Sequence, residues 1–278
     1  MDSNAVAAGF AQPDFDGTFQ GDLARYLYDL SAARPVLFFA FAPKAAGTFL
    51  RSAAVHATGG QLVRVVYAQG GCDAHLYMPV FIKYFLGELC EGPLIAHVHM
   101  QALPANRRFL EVLGIRPVIM IRSITDMLAS YRDMLDTSET ARAEGINCTI
   151  PRDFAAWPAE RKSDFLIEIV APWYVGYFAT WLDYARVRPA AIRVLDYAEF
   201  SADPAAALQT ALDHAGLPRS REACRAAIDT AWADRATLRF NKGAGGRGKD
   251  YFSQSQRDKL SALFRHYPAL GDWCEKLA

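Results

Sequence analysis

The sequence predicts an α/β fold: three layers, with helices on both faces of a central, mostly parallel sheet. Two observations predict it. Short apolar runs of strand length alternate along the chain with segments of helical period, as strands joined by crossover helices do. Residues 36–50 then read as strand, tight small-residue loop and helix start, the kind of join on which such sheets build phosphate sites. At 278 residues, 52% of them apolar and 12% aromatic, the chain suits one large domain over 1–278, with 1–18 a loose arm of small and polar residues.

In chain order, Leu23, Tyr26, Leu27 and Leu30 repeat at helical spacing within 19–33. Arg34-Pro35 ends that helix, because a residue before proline avoids the α region. The run from Val36 to Phe41 is the first strand, and Pro43 stops it, having no N–H for the ladder. After Lys44, Ala45, Ala46, Gly47 and Thr48 the pattern turns helical through Phe49 and Leu50, until Gly59-Gly60 breaks it. Such a turn aims backbone N–H groups and the positive end of a helix dipole at one point. A lysine and a threonine hydroxyl fit that point to a phosphate or sulfate. A plainer reading stands beside this one, since short Ala/Gly/Thr loops join strands to helices in most α/β proteins. The triphosphate loop is a different motif: it ends in Gly-Lys-Ser/Thr, whereas Lys44 precedes the loop.

Residues 62–67 read as a second strand and 75–90 as an aromatic helix. Gly92-Pro93 opens a strand over 94–100 that carries His97 and His99 two apart, hence on one face. They lie near its C-terminal end, the edge where open α/β sheets bind ligands. A helix over 103–113 precedes a buried-type strand at 115–122 that ends in Arg122. Ser123 is the N-cap of the next helix, which puts Ser130 on its second turn. Residues 138–160 read as an irregular, lid-like excursion, 161–187 as a long aromatic core helix, and 191–195 as a strand. Asp203-Pro204 starts a helix that Gly216 ends, and helices follow over 219–232 and 254–264. Between these last two, Gly243, Gly245, Gly246 and Gly248 sit among Lys242, Arg247 and Lys249. That composition is a flexible surface loop, and it also suits N–H groups wrapped round an anion.

Charge and cysteine content narrow the function. Lys plus Arg equals Asp plus Glu at 30 each, so the basic excess of a nucleic-acid binder is absent and any anion site needs local charge. The cysteines (Cys72, Cys90, Cys148, Cys224, Cys274) are odd in number and widely spaced. This predicts neither a disulfide framework nor a metal site, and a reducing, cytoplasmic location. The sequence also predicts no signal peptide and no membrane span.

Four of these stretches, in order, resemble the sulfotransferase family that uses 3′-phosphoadenosine 5′-phosphosulfate (PAPS). Pro43-Lys-Ala-Ala-Gly-Thr-Phe49 is similar to the family's Pro-Lys-Ser-Gly-Thr-Thr-Trp loop for the 5′-phosphosulfate. Arg122 and Ser130 have the spacing of its 3′-phosphate pair. Tyr197-Ala-Glu-Phe200 before Asp203-Pro204 is similar to its Tyr-Glu-Asp segment. Asn241-Lys-Gly-Ala-Gly-Gly246 with Phe252 looks like its Arg-Lys-Gly-x-x-Gly…Phe loop. There are departures. Phe49 stands for an adenine-stacking Trp, Gly47 for a Thr donor, and His97-Val-His99 for Lys-Thr-His. Asn241 stands for an Arg to the 3′-phosphate, which weakens that contact or shifts it to Lys242 or Arg247.

The resemblance implies the P-loop-containing nucleotide-hydrolase-like form of the fold. It implies transfer of a sulfuryl group from PAPS, leaving 3′-phosphoadenosine 5′-phosphate (PAP), to a hydroxyl or amine of a small-molecule, glycan or lipid acceptor. Lys44, Ala45, Ala46, Gly47, Thr48, Phe49, Arg122, Ser130, Tyr197, Asn241, Lys242 and Gly243 would bind the cofactor. His99 would be the general base, Lys44 would stabilise the leaving phosphate oxygen, and His97 would stand where the family has its Lys. Two other readings stay open: a Mg-ATP kinase-like enzyme of similar architecture, and a PAPS- or PAP-binding protein without turnover. The acceptor and the oligomeric state are not legible.

Overall fold

The computed structural model describes residues 19–66, 76–87, 91–145, 148–234 and 245–278. Its strands are β1 (Val36–Phe39), β2 (Gln61–Val63), β3 (Leu94–His97), β4 (Pro117–Ile121) and β5 (Arg193–Asp196). They form one five-stranded sheet in the order β2-β3-β1-β4-β5. Every pairing is parallel; Phe39 lies opposite His97 in β3 and Val118 in β4. The chain therefore builds outward from β1 in both directions, and β1 occupies the centre. Its four residues are all buried. Fully burying a ring such as Phe38 or Phe39 is worth roughly 1.5–3 kcal/mol.

The helices are α1 (Phe19–Ala32), α2 (Gly47–Thr58), α3 (Met78–Phe85), α4 (Pro104–Val112), α5 (Ile124–Thr137), α6 (Glu139–Glu144), α7 (Ala159–Phe165), α8 (Ala171–Val187), α9 (Tyr197–Ala202), α10 (Pro204–His214), α11 (Arg221–Ala233), α12 (Gly248–Tyr251), α13 (Gln254–Phe264) and α14 (Cys274–Leu277). The cap residues read from sequence hold. Ser123 accepts from the Asp126 N–H, and Asp203 from the Ala206 N–H.

Several expectations are corrected. The second strand stops at Val63, and Val66 makes only an isolated bridge to Leu76. The excursion at 138–160 contains α6 and a short 3₁₀ turn at Phe154–Ala156. The long aromatic helix is interrupted by a π turn at Leu166–Val170. Pro172 accounts for it, because its ring lacks the N–H that would bond back one turn and crowds the carbonyl there. The segment after β5 is helical as α9, capped by Asp196.

The run Ala159–Val187 is long and apolar enough to cross a membrane, but 67% of its most apolar window is buried. Here it acts as the clamp on the sheet's C-terminal edge. The hydroxyl of Tyr177 donates to the Ala40 carbonyl. Tyr174 reaches the Pro43 carbonyl at 3.3 Å, and the Trp181 indole reaches the Met100 carbonyl at 2.9 Å. Each of these three aromatics thus satisfies its polar tip on a chain leaving β1 or β3.

Candidate active site

The loop from β1 to α2 is held in an unusual backbone state. Lys44 has φ 67° and Ala46 has φ 64°, both left-handed without being glycine. Such residues cost of order 1–3 kcal/mol each and persist where the surroundings over-determine them. Ala46 is also the N-cap of α2 and offers no side-chain acceptor. The first-turn N–H groups of α2 therefore face the loop without a side-chain cap, as in an anion nest. Ala45 is fully buried beneath this turn, and Thr48 is half-buried on α2. The Lys44 ammonium points toward α5, 3.8 Å from the Met134 sulfur.

Gly47 is required by its neighbour. A Cβ there would lie 2.1 Å from Nε2 of His97. That nitrogen is buried and has no hydrogen-bond partner among the described residues. Burial, with the charges of His99 and Arg51, holds the His97 pKa well below the ordinary histidine value.

The ring of His99 stands edge-on to that of His97, centroids 4.8 Å apart. Its Nδ1 is 2.7 Å from the Phe41 carbonyl. A carbonyl only accepts, so Nδ1 carries the proton and Nε2 keeps the lone pair. Burial lowers the His99 pKa; the bond to Phe41 opposes this, and Arg51 and Lys44 add to the fall. The ring is thus neutral at pH 7, with its tautomer fixed by the Phe41 carbonyl just beyond β1.

From the other side, Arg122 leaves β4 and donates from Nη1 to the Lys44 carbonyl at 2.6 Å. Its guanidinium lies 3.9 Å from the centre of the Tyr197 ring. Burial lowers the Arg122 pKa, and Tyr197 and Asp126 oppose the shift. Ser130 is buried on α5 and makes no side-chain hydrogen bond among the described residues. Lys44, Arg122 and Tyr197 are therefore one connected unit. Asn241, Lys242 and Gly243 lie outside the described residues.

Phe49 is almost wholly buried, its ring 6.1 Å from Phe200 and 5.4 Å from Trp232. Trp232, at the end of α11, is the partly open face of this cluster at 42% exposure. Sequence reasoning missed it. The signal was an aromatic closing a helix just before the glycine-rich stretch.

Sequence reasoning also missed what the glycines do. The N–H groups of Gly246 and Gly248 do wrap an anion, and it is the buried carboxylate of Asp126, at 2.7 and 2.8 Å. Gly248 has no alternative, since a Cβ would lie 2.2 Å from the Thr125 hydroxyl. Two turns along α5, Asp133 accepts from Arg247 and from the Tyr251 hydroxyl, each at 2.6 Å.

No protein-family model and no curated protein matches the sequence. Solved structures do resemble the fold. Mouse sulfotransferase SULT7A1 complexed with PAP superposes with a TM-score of 0.63 at 12% identity, over 90% of this chain and 91% of that one. Retinol dehydratase, in complex with androsterone and inactive cofactor PAP, gives 0.49 at 13% identity, over 90% of this chain and 85% of that one. Its complex with retinol and PAP gives 0.48 at 12% over the same shares. The chain thus has a three-layer α/β/α fold with an all-parallel central sheet, similar to that of the SULT7A1 structure.

Proposed function

We propose that the protein transfers the sulfuryl group of PAPS to a hydroxyl or amine of an acceptor. The observation that carries this reading is His99: a neutral, tautomer-fixed imidazole at the same sheet edge as an uncapped, left-handed anion loop. The likeness of the fold to the PAP-bound SULT7A1 structure agrees with it.

The residues present fit the cofactor. The loop at 44–48 offers N–H groups, a lysine and a hydroxyl for a doubly charged 5′ end. Arg122 and Ser130 offer a guanidinium and a hydroxyl, the latter without a hydrogen bond among the described residues, for a 3′-phosphate. Tyr197, Phe49 and Trp232 offer ring faces and edges for the adenine. PAPS, when bound, supplies an activated sulfuryl group with a phosphate as its leaving group. His99 takes the acceptor proton at Nε2, and its Nδ1–H bond to Phe41 stabilises the imidazolium that results. Lys44 offsets charge at the loop. The acceptor is a small molecule, a glycan or a lipid.

The test is PAP formation from PAPS with a panel of phenols, alcohols and amines. The reading expects PAP formation that depends on an acceptor and is lost in His99→Ala. PAP formation with none of the panel, alongside turnover of Mg-ATP, would overturn it in favour of a kinase-like enzyme.

A further inference from the structure

We propose that Trp173 is a specificity residue for the acceptor: its indole N–H binds an oxygen of the acceptor other than the group that is sulfated. The acceptor then carries, beside its reacting hydroxyl or amine, a second oxygen with a free lone pair, such as a carbonyl. This rests on the transfer reading above.

Trp173 follows Pro172 in the first turn of α8, just past the π turn. Its side chain is in the core, the residue being 8% exposed. Its Nε1 is buried and has no hydrogen-bond partner among the described residues. A buried indole N–H ordinarily finds an acceptor, and leaving one unbonded costs stability. Its neighbours on α8 follow that rule: Tyr174, Tyr177 and Trp181 each bond a backbone carbonyl. Trp173 is the exception among the four. An indole N–H only donates, so its match in a ligand is an oxygen with a lone pair.

The course of α8 sets this donor beside the reacting groups. Trp181 bonds the Met100 carbonyl, and the Thr180 hydroxyl accepts from the Ala102 N–H at 3.1 Å. A Cβ on Gly176 would lie 3.3 Å from the Gln101 amide nitrogen. One turn back, Tyr177 bonds the Ala40 carbonyl and Tyr174 the Pro43 carbonyl. Followed toward its N-terminus, α8 thus passes from the chain just beyond His99 to the start of the loop at Lys44. Trp173 stands at the loop end of that line. Its ring stacks on Tyr177, centroids 5.4 Å apart, and is edge-on to Tyr174 at 5.3 Å. The Phe41 carbonyl that fixes His99 lies in the chain between the two carbonyls that these tyrosines hold. An acceptor seated between His99 and the loop has the Trp173 ring for a neighbour.

The experiment measures kcat/KM for PAP formation with para-hydroxyacetophenone and with para-ethylphenol, in wild type and in Trp173→Phe. The two phenols are close in size, and only the first has a carbonyl. Phenylalanine keeps a ring and removes the N–H. Comparing each phenol between the two proteins cancels their difference in acidity. Trp173→Phe should lower kcat/KM about tenfold for the ketone and leave para-ethylphenol little changed. If both phenols lose equally, Trp173 is structural and the inference falls. If neither loses, the inference falls and the transfer reading stands. If wild type forms PAP with neither phenol and with no other alcohol or amine, both fall.

Discussion

The ends of β1 and β3 and the carboxylates of α5 treat polar groups in opposite ways. Where β1 and β3 end, His97 Nε2 is buried without a partner among the described residues, two non-glycine residues are left-handed, and the first turn of α2 has no side-chain cap. Along α5 the carboxylates are satisfied: Asp126 by two backbone N–H groups, Asp133 by Arg247 and Tyr251. Unmet polar atoms and backbone strain cost stability and collect where a ligand is to be bound. Fully bonded networks fix geometry. Under the proposed function, the β1 side would be the reacting side, and the α5 side the frame for the nucleotide's far end.

Four substitutions or conditions break or sharpen that contrast, from the largest expected effect to the smallest. Replacing His99 with Ala should remove about 10²–10⁴-fold of turnover while leaving PAP binding intact. A kinetic comparison with His97→Ala checks it; turnover that survives in His99→Ala and dies in His97→Ala assigns the base to His97 instead. On the frame side, Asp126→Ala orphans two N–H groups and should cost about 2–4 kcal/mol, seen as a lowered denaturation midpoint. An unchanged midpoint would mean that the carboxylate does not hold the segment at 246–248.

Gly47→Ala comes next. Its Cβ would meet His97 at 2.1 Å, so strain of about 1–3 kcal/mol and weaker PAP binding are expected. His97→Ala in the same chain should restore both, since it removes the ring that clashes. A double variant no better than Gly47→Ala alone would show that the two residues are not coupled.

The smallest effect is on pH dependence. Burial lowers the pKa of His97 and His99, and brings His214 to about 4. The unfolded chain then binds protons first as pH falls below about 6.5. Stability should therefore be full at pH 7 and decline from about pH 6.5 toward pH 4, measured by urea unfolding at several pH values. His214→Gln should make that decline shallower.

Much of this was legible in the sequence, and what was missed has a physical pattern. Strand runs, proline stops and caps such as Ser123 and Asp203 are local, so the sheet and most helices could be read directly. Lys44, His99 and Arg122 were candidates because each lies at or near the C-terminal end of a strand run. What escaped depends on contacts between distant residues. The demand for glycine at 47 comes from a ring fifty positions away, and the glycines at 246 and 248 answer to Thr125 and Asp126. The π turn before Pro172 lies inside a run whose apolar pattern is unbroken. Trp232 is set against Phe49, a residue far away in sequence, so its place in this cluster is not local information.

The central claim is that the loop at 44–48 and the Arg122–Ser130 face together hold a 3′-phosphorylated nucleotide. Thermal unfolding with PAP, beside ADP and Mg-ATP, tests it most directly. At 100 times its dissociation constant PAP should add about 2.7 kcal/mol of stability, and ADP should add little. No shift with PAP, or a larger one with Mg-ATP, would contradict the account.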